Sequence, residues 1–161
     1  MSSHLSKGRY LCMTTLETQR LILRGWRESD VDDLHDIMKN SSVIMGGWEP
    51  HANINVTFDV LNEYIKNEDR WAIVLKDSKK VIGCVRVCPD HNRGKLYAKS
   101  INYVLSEDYW GNGYMTEAIK QIIKYLFDDT FEATGTNLDS KISMNLSICH
   151  PPFLLNFLSF N

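Results

Sequence analysis

Ser106-Glu-Asp-Tyr-Trp-Gly-Asn-Gly-Tyr-Met-Thr-Glu-Ala118 joins a β-prone run to a helix through two glycines one residue apart. Before it, Ile101 to Leu105 is apolar and suits a buried strand. After it, Met115, Ala118, Ile119, Ile122, Ile123 and Leu126 recur at the spacing that lines one helical face. Gly111 and Gly113 let another backbone or a ligand approach without a Cβ in the way. The first amides of the helix that follows have no partner within it. A strand, a glycine turn and a helix N-terminus in this order make an anion site.

The chain has 161 residues, enough for one core and too few for two comfortable domains. A net charge of -2 with interspersed signs supplies no basic stripe for duplex binding, so nucleic acid is not an expected partner. No apolar run reaches the length of a membrane span, and Lys7 and Arg9 interrupt the first fifteen residues where a leader would be apolar. The expectation is a cytoplasmic protein with no membrane partner. Of the four cysteines, Cys84 and Cys88 share a strand face at about 13 Å, from roughly 3.3 Å of rise per residue, too far for a disulfide or a shared metal. No histidine pairs with a cysteine or carboxylate at zinc spacing, so no metal is implied.

The chain divides into an arm at 1–15, a folded unit at 16–130 and an atypical tail at 131–161. Gln19 to Trp26 alternates as a strand. Ser29 is expected to open a helix with Asp32 completing its capping box, and Val31, Leu34, Ile37 and Met38 give that helix its buried face. Asn40 to Asn55 reads as a loop, and a helix from Thr57 buries Val60, Leu61, Tyr64 and Ile65. The period then becomes two, giving an antiparallel meander of Trp71 to Leu75, Val81 to Val87 and Leu96 to Leu105. A crossover helix after the meander should deliver a parallel strand beside it. None is evident in the tail, which offers only short apolar pieces at 141–149 and 153–160 and two charges, Asp139 and Lys141, after residue 132. A missing strand would leave the edge along Ile101 to Leu105 open for self-association.

The turn is not a Walker loop, since no Gly-Lys-Ser or Gly-Lys-Thr follows. It is not a dinucleotide fingerprint either, because a meander rather than a βαβ unit precedes it. On spacing alone a plain tight turn is a fair alternative, and a nucleotide-binding regulatory module has only the glycines in its favour. Three pieces say more: Leu16-Glu-Thr-Gln-Arg-Leu-Ile-Leu-Arg24, Trp48-Glu-Pro-His51 and Tyr109-Trp-Gly-Asn-Gly-Tyr-Met-Thr-Glu-Ala118. In that order they make Leu16 to Phe127 resemble the GNAT superfamily of acyl-CoA N-acyltransferases, in its branch related to the ribosomal-protein-alanine acetyltransferases.

The resemblance implies an α/β fold with a mixed central sheet, an antiparallel meander and flanking helices, the C-terminal half-sheet being incomplete here. It implies acetyl transfer from acetyl-CoA to a primary amine, on a protein N-terminus or a small molecule. By position it assigns Trp110, Gly111, Asn112, Gly113, Tyr114 and Met115 to the pyrophosphate of coenzyme A, and Val104 and Leu105 to its pantetheine arm. Trp48 and His51 fall where relatives line the acceptor pocket; core packing or a loop anchor for Trp48 and an exposed histidine for His51 are the competing readings. Tyr103 reads as core, and Glu117 as a complement to the helix dipole. The chain departs from the family at Met115, expected to crowd the phosphates, and at Ser100, where many relatives carry a glutamate base. Ser100 cannot act as an ordinary base at neutral pH, so no catalytic residue is assigned. The rival reading is an impaired remnant that only binds coenzyme A or a partner.

Overall fold

In the computed structural model, residues 14–46, 48–89, 99–134 and 144–147 are described. Six strands form one sheet in sequence order. β1 (Leu16–Glu17), β2 (Leu21–Arg24), β3 (Arg70–Leu75), β4 (Val81–Pro89) and β5 (Lys99–Leu105) pair antiparallel with their neighbours. β6 (Met144–Ser147) runs parallel to β5. The helices are α1 (Val31–Met38), α2 (Ile54–Asn67) and α3 (Tyr114–Thr134).

The pleat decides how the layers stack. Trp71 and Ile73 of β3 turn to one face with Leu21, Leu23, Ile101 and Leu105, and α3 covers them with Met115, Ala118, Ile119 and Ile122. Ala72 and Val74 turn to the other face with Cys84 and Val104, where α1 and α2 contribute Leu34, Ile37, Met38, Leu61 and Tyr64. With helices on both faces, β3 is buried from Arg70 to Val74 and so reads as nearly unbroken apolar sequence. Tyr103 is core, as expected. Truncating a fully buried residue such as Ile122 to Ala would cost about 3 kcal/mol.

Several boundaries differ from the sequence expectation for local reasons. The first strand is a small hairpin, with Thr18 to Arg20 turning between β1 and β2; the Thr18 N–H donates to the Leu21 carbonyl at 3.0 Å. α1 is preceded by a 3-10 turn, Glu28–Asp30, so its N-cap is Asp30 rather than Ser29, and the Asp30 side chain caps the 3-10 turn while making no cap bond to α1. Its buried carboxylate accepts the Arg27 amide at 2.8 Å and a two-pronged pair from Arg24 at 2.7 and 2.9 Å. α2 starts three residues early because the Asn53 side chain accepts the amides of Asn55 and Val56. β5 starts at Lys99; the part of the expected strand before it lies outside the described residues.

The parallel strand not evident in the tail is β6, within the apolar piece 141–149. Four residues, two of them Asn and Ser, are too few and too mixed to show a period of two. β6 covers the β5 edge from Lys99 to Asn102, so the edge expected to stay open is shortened. The apolar piece 153–160 lies outside the described residues.

Candidate functional site

The turn after β5 is built from main chain. Glu107–Tyr109 forms a 3-10 turn, and Gly111 and Gly113 adopt φ of 76° and 77°, a left-handed conformation that costs any side chain-bearing residue energy. Asn112 closes the loop, its side-chain amide donating to the carbonyls of Tyr109 at 3.2 Å and Trp110 at 3.0 Å. The Glu117 amide makes the first helical bond to the Gly113 carbonyl at 3.0 Å, so the amides before it in α3 point out of the helix end. A Cβ at Gly111 would meet nothing within 4 Å, so the main chain there is open to an approaching group. The donor set suits an oxyanion ligand such as a pyrophosphate.

The large side chains of the turn face inward. The Trp110 indole N–H donates to the Leu105 carbonyl at 2.8 Å, tying the turn to the end of β5. Met115 is buried in the core under α3. Its side chain packs into the core with Ala118 and Ile119 rather than lying exposed at the turn. Tyr114 is half-buried beside Tyr109.

Glu117 does more than complement the dipole. One carboxylate oxygen accepts the Thr18 hydroxyl at 2.5 Å and the Arg20 amide at 3.0 Å. The other accepts Nε and Nη2 of Arg20, both at 2.7 Å. Burial alone would raise its pKa, but these hydrogen bonds hold it below the usual carboxylate range. Arg20 also donates through Nη1 to the Asn112 carbonyl at 3.1 Å and lies 4.4 Å from the Tyr114 ring centre. The sequence reading missed this cluster; its only signal was that the run Leu16 to Arg24 carries the family resemblance without a role for Arg20.

β5 connects the turn to the opposite face. Successive residues Val104 and Leu105 belong to the two different cores. The Ser106 amide donates to the Ile82 carbonyl at 2.8 Å, so by the alternation of an antiparallel ladder Val104 directs its main chain to β4 and Leu105 turns its amide to the other edge. A one-residue bulge at Ile82 precedes Gly83, where a Cβ would overlap the main-chain oxygen of Val104. Gly83 therefore sets how closely β4 seats β5, a role with no signature in the sequence.

On the α1–α2 face, the Trp48 amide donates to Val43 at 3.2 Å and its ring is half-buried against the core that includes Val104. The His51 amide donates to the Met38 carbonyl at 2.9 Å. His51 is half-buried rather than exposed, its Nδ1 lying 3.0 Å from Oγ1 of Thr57. Nδ1 of His35 meets the same hydroxyl at 2.8 Å. One hydroxyl proton serves one acceptor, so at least one of these imidazoles carries a proton on Nδ1. Burial, and secondarily the neighbouring His35, lower the His51 pKa. Trp48 thus packs on the α1–α2 core and His51 is tied to α1 and α2 through Met38 and Thr57, whereas the glycine turn follows the end of β5.

A cavity of about 240 Å³ lies between α1 and Ser106 to Tyr109, lined by Asp33, Asp36, Lys39 and Lys80 among others. It does not contain the glycines; within it Asp36 pairs with Lys39 at 2.7 Å and Lys80 at 3.4 Å, and Asp33 accepts the Val81 amide at 2.8 Å. Among the described residues no three His, Cys, Asp or Glu side chains converge as a metal-ligand set, and no helix is long and apolar enough to cross a membrane.

Comparisons with known proteins fit this geometry. The chain is 29% identical over 122 residues to the uncharacterised N-acetyltransferase YoaA of Bacillus subtilis, covering 70% of this chain and 66% of that protein, so it spans about two thirds of the relative's length. A GNAT-family acetyltransferase of Bacillus anthracis superposes with a TM-score of 0.62 at 18% identity, covering 73% of this chain and 68% of that one. A ribosomal-protein-S5-alanine acetyltransferase of Vibrio fischeri does so with a TM-score of 0.56 at 20% identity, covering 73% and 69%. At these identities the two structures speak for the fold. The acetyltransferase (GNAT) domain family matches residues 20–150, most of the chain, and this protein therefore belongs to the GNAT acetyltransferases.

Proposed function

We propose that the chain transfers an acetyl group from acetyl-CoA to a primary amine. The observation that carries this reading is the left-handed pair Gly111 and Gly113, which opens the main chain of the turn at the N-terminus of α3. Coenzyme A would supply an activated thioester there. On the chain's side, the turn and first-turn amides from Gly111 to Met115 bind the pyrophosphate through main chain, because the Trp110 amide is spent on the Glu107 carbonyl at 3.0 Å and the Trp110 and Met115 side chains are committed inward. The outward amide of Leu105 is the group offered to the pantetheine arm and to charge developing on the thioester oxygen, whereas Val104 contributes by its place in the ladder. Most of the rate then comes from holding the amine against the thioester.

For the acceptor, we infer a pocket beside Trp48 and His51. An amine attacks only after losing its proton, and the sequence has Ser100 in place of a carboxylate base. An α-amino group, with an ordinary pKa of about 7.7 to 8.0, sheds that proton far more readily than a lysine or alkylamine. This favours a protein N-terminus over a simple alkylamine, in keeping with the printed name of the Vibrio fischeri neighbour. The same reading takes the reaction to be cytoplasmic.

The test is thiol release from acetyl-CoA across peptides with free or blocked N-termini and a panel of small amines. Release with free-N-terminal peptides is expected. Binding of acetyl-CoA without release for any amine would favour the impaired remnant, a reading motivated by Ser100 and by the atypical C-terminal tail.

A further inference from the structure

The run Leu16 to Arg24 helped identify the family, yet the binding reading gives Arg20 nothing to do. We propose that Arg20 is a positioning residue that sets the glycine turn for an anion in two ways, an inference that rests on the coenzyme A reading above. First, its Nη1 holds the Asn112 carbonyl at 3.1 Å. The peptide joining Asn112 to Gly113 is planar and trans, so fixing its carbonyl toward Arg20 points the Gly113 N–H the opposite way. Gly113, with φ near +77°, brings no Cβ to restrain that peptide on its C-terminal side, and the Arg20 bond to its carbonyl supplies a constraint.

Second, Glu117 puts a carboxylate in the first turn of α3, close to where a diphosphate would bind. Alone it would repel that ligand. Two nitrogens of Arg20 at 2.7 Å, its amide at 3.0 Å and the Thr18 hydroxyl at 2.5 Å hold this carboxylate on the hairpin side of the helix and offset its charge. The guanidinium also lies 4.4 Å from the Tyr114 ring centre, and Nη2 would be 3.7 Å from a Cβ at Gly113, so it backs the turn over two consecutive residues. Its side chain is 42% exposed and Glu117's 20%, which suits positioning at a ligand edge better than a role in the core.

The experiment compares wild type, Arg20→Met, Arg20→Lys and the double variant Arg20→Met with Glu117→Gln, using acetyl-CoA and S-acetylpantetheine, which lacks the diphosphate. Arg20→Met should raise the Kd and KM for acetyl-CoA about tenfold, the scale of one charge-assisted hydrogen bond, with the loss on KM rather than kcat. The KM for S-acetylpantetheine should not move. Removing the Glu117 charge in the same chain should recover part of the affinity, and Arg20→Lys, which keeps the charge without the fork, should fall between wild type and Arg20→Met. Equal losses for both thioesters would mark a general structural role and overturn the inference. So would unchanged acetyl-CoA affinity in Arg20→Met while wild type binds, and that outcome leaves the coenzyme A reading standing. If Arg20→Met does not fold, Arg20→Lys decides by the same comparison of thioesters. Wild type that fails to bind acetyl-CoA overturns the coenzyme A reading and this inference with it.

Discussion

The two faces of the sheet are secured by the same chemistry in different settings. Arg24, at the end of β2, makes its two-pronged pair with Asp30 under cover, with side-chain exposures of 12% and 6%. Arg20, one turn of the hairpin earlier, pairs with Glu117 at the surface. The buried pair fixes where α1 leaves the sheet and so supports the loop carrying Trp48 and His51. The surface pair fixes a turn that must meet a ligand. Location decides what each pair is worth: a buried charge left without its partner is costly, and an exposed one is solvated by water.

That contrast can be broken by substitution. Asp30→Ala should lower stability by about 3 kcal/mol, because Arg24 is left buried and unpaired; chemical denaturation measures it, and a loss under about 1 kcal/mol would erase the distinction. Gly83→Ala should cost about 2 kcal/mol, since the new Cβ must push the Val104 carbonyl away. Because β5 serves both faces, this change should weaken acetyl-CoA binding as well, which calorimetry would register. A double-mutant cycle on Arg20 and Glu117 should give a coupling in stability under about 1 kcal/mol.

The smallest expected effect is a pH dependence confined to the α1–α2 face. His51 has its folded-state pKa below the ordinary imidazole value of about 6.5. The unfolded chain then binds the proton more readily, so the contribution is intact above about pH 6.5 and is lost as pH falls through and below that value. Thermal melts from pH 7.5 to 5.5 should show a decline that His51→Gln flattens. An equal slope in the variant would remove His51 from the explanation.

What could be read from sequence follows from how each part is built. The two core stripes, the meander and the glycine turn are local patterns, and each left a period or a glycine spacing to find. The likeness legible in the sequence ends at Phe127, whereas the family match runs to residue 150, across β6. The clusters that secure the site are not local. Arg20 meets Glu117 across 97 residues and His35 meets Thr57 across 22, so only the fold brings them together. Gly83 looks like any strand glycine until Val104 is laid beside it. α1 starts after Asp30 rather than Ser29, and the Asp30 carboxylate is bound to Arg24 and the Arg27 amide instead of capping the helix, a tertiary contact overriding a good local signal.

The central claim is that the turn at Trp110 to Met115 cradles a coenzyme A pyrophosphate with its main chain. Calorimetric titration of acetyl-CoA into wild type and Gly113→Trp tests it most directly, with a thermal melt to show that both are folded. Saturable binding by wild type below millimolar ligand, and none by Gly113→Trp, is the predicted result. Equal affinity in the two folded chains would contradict it.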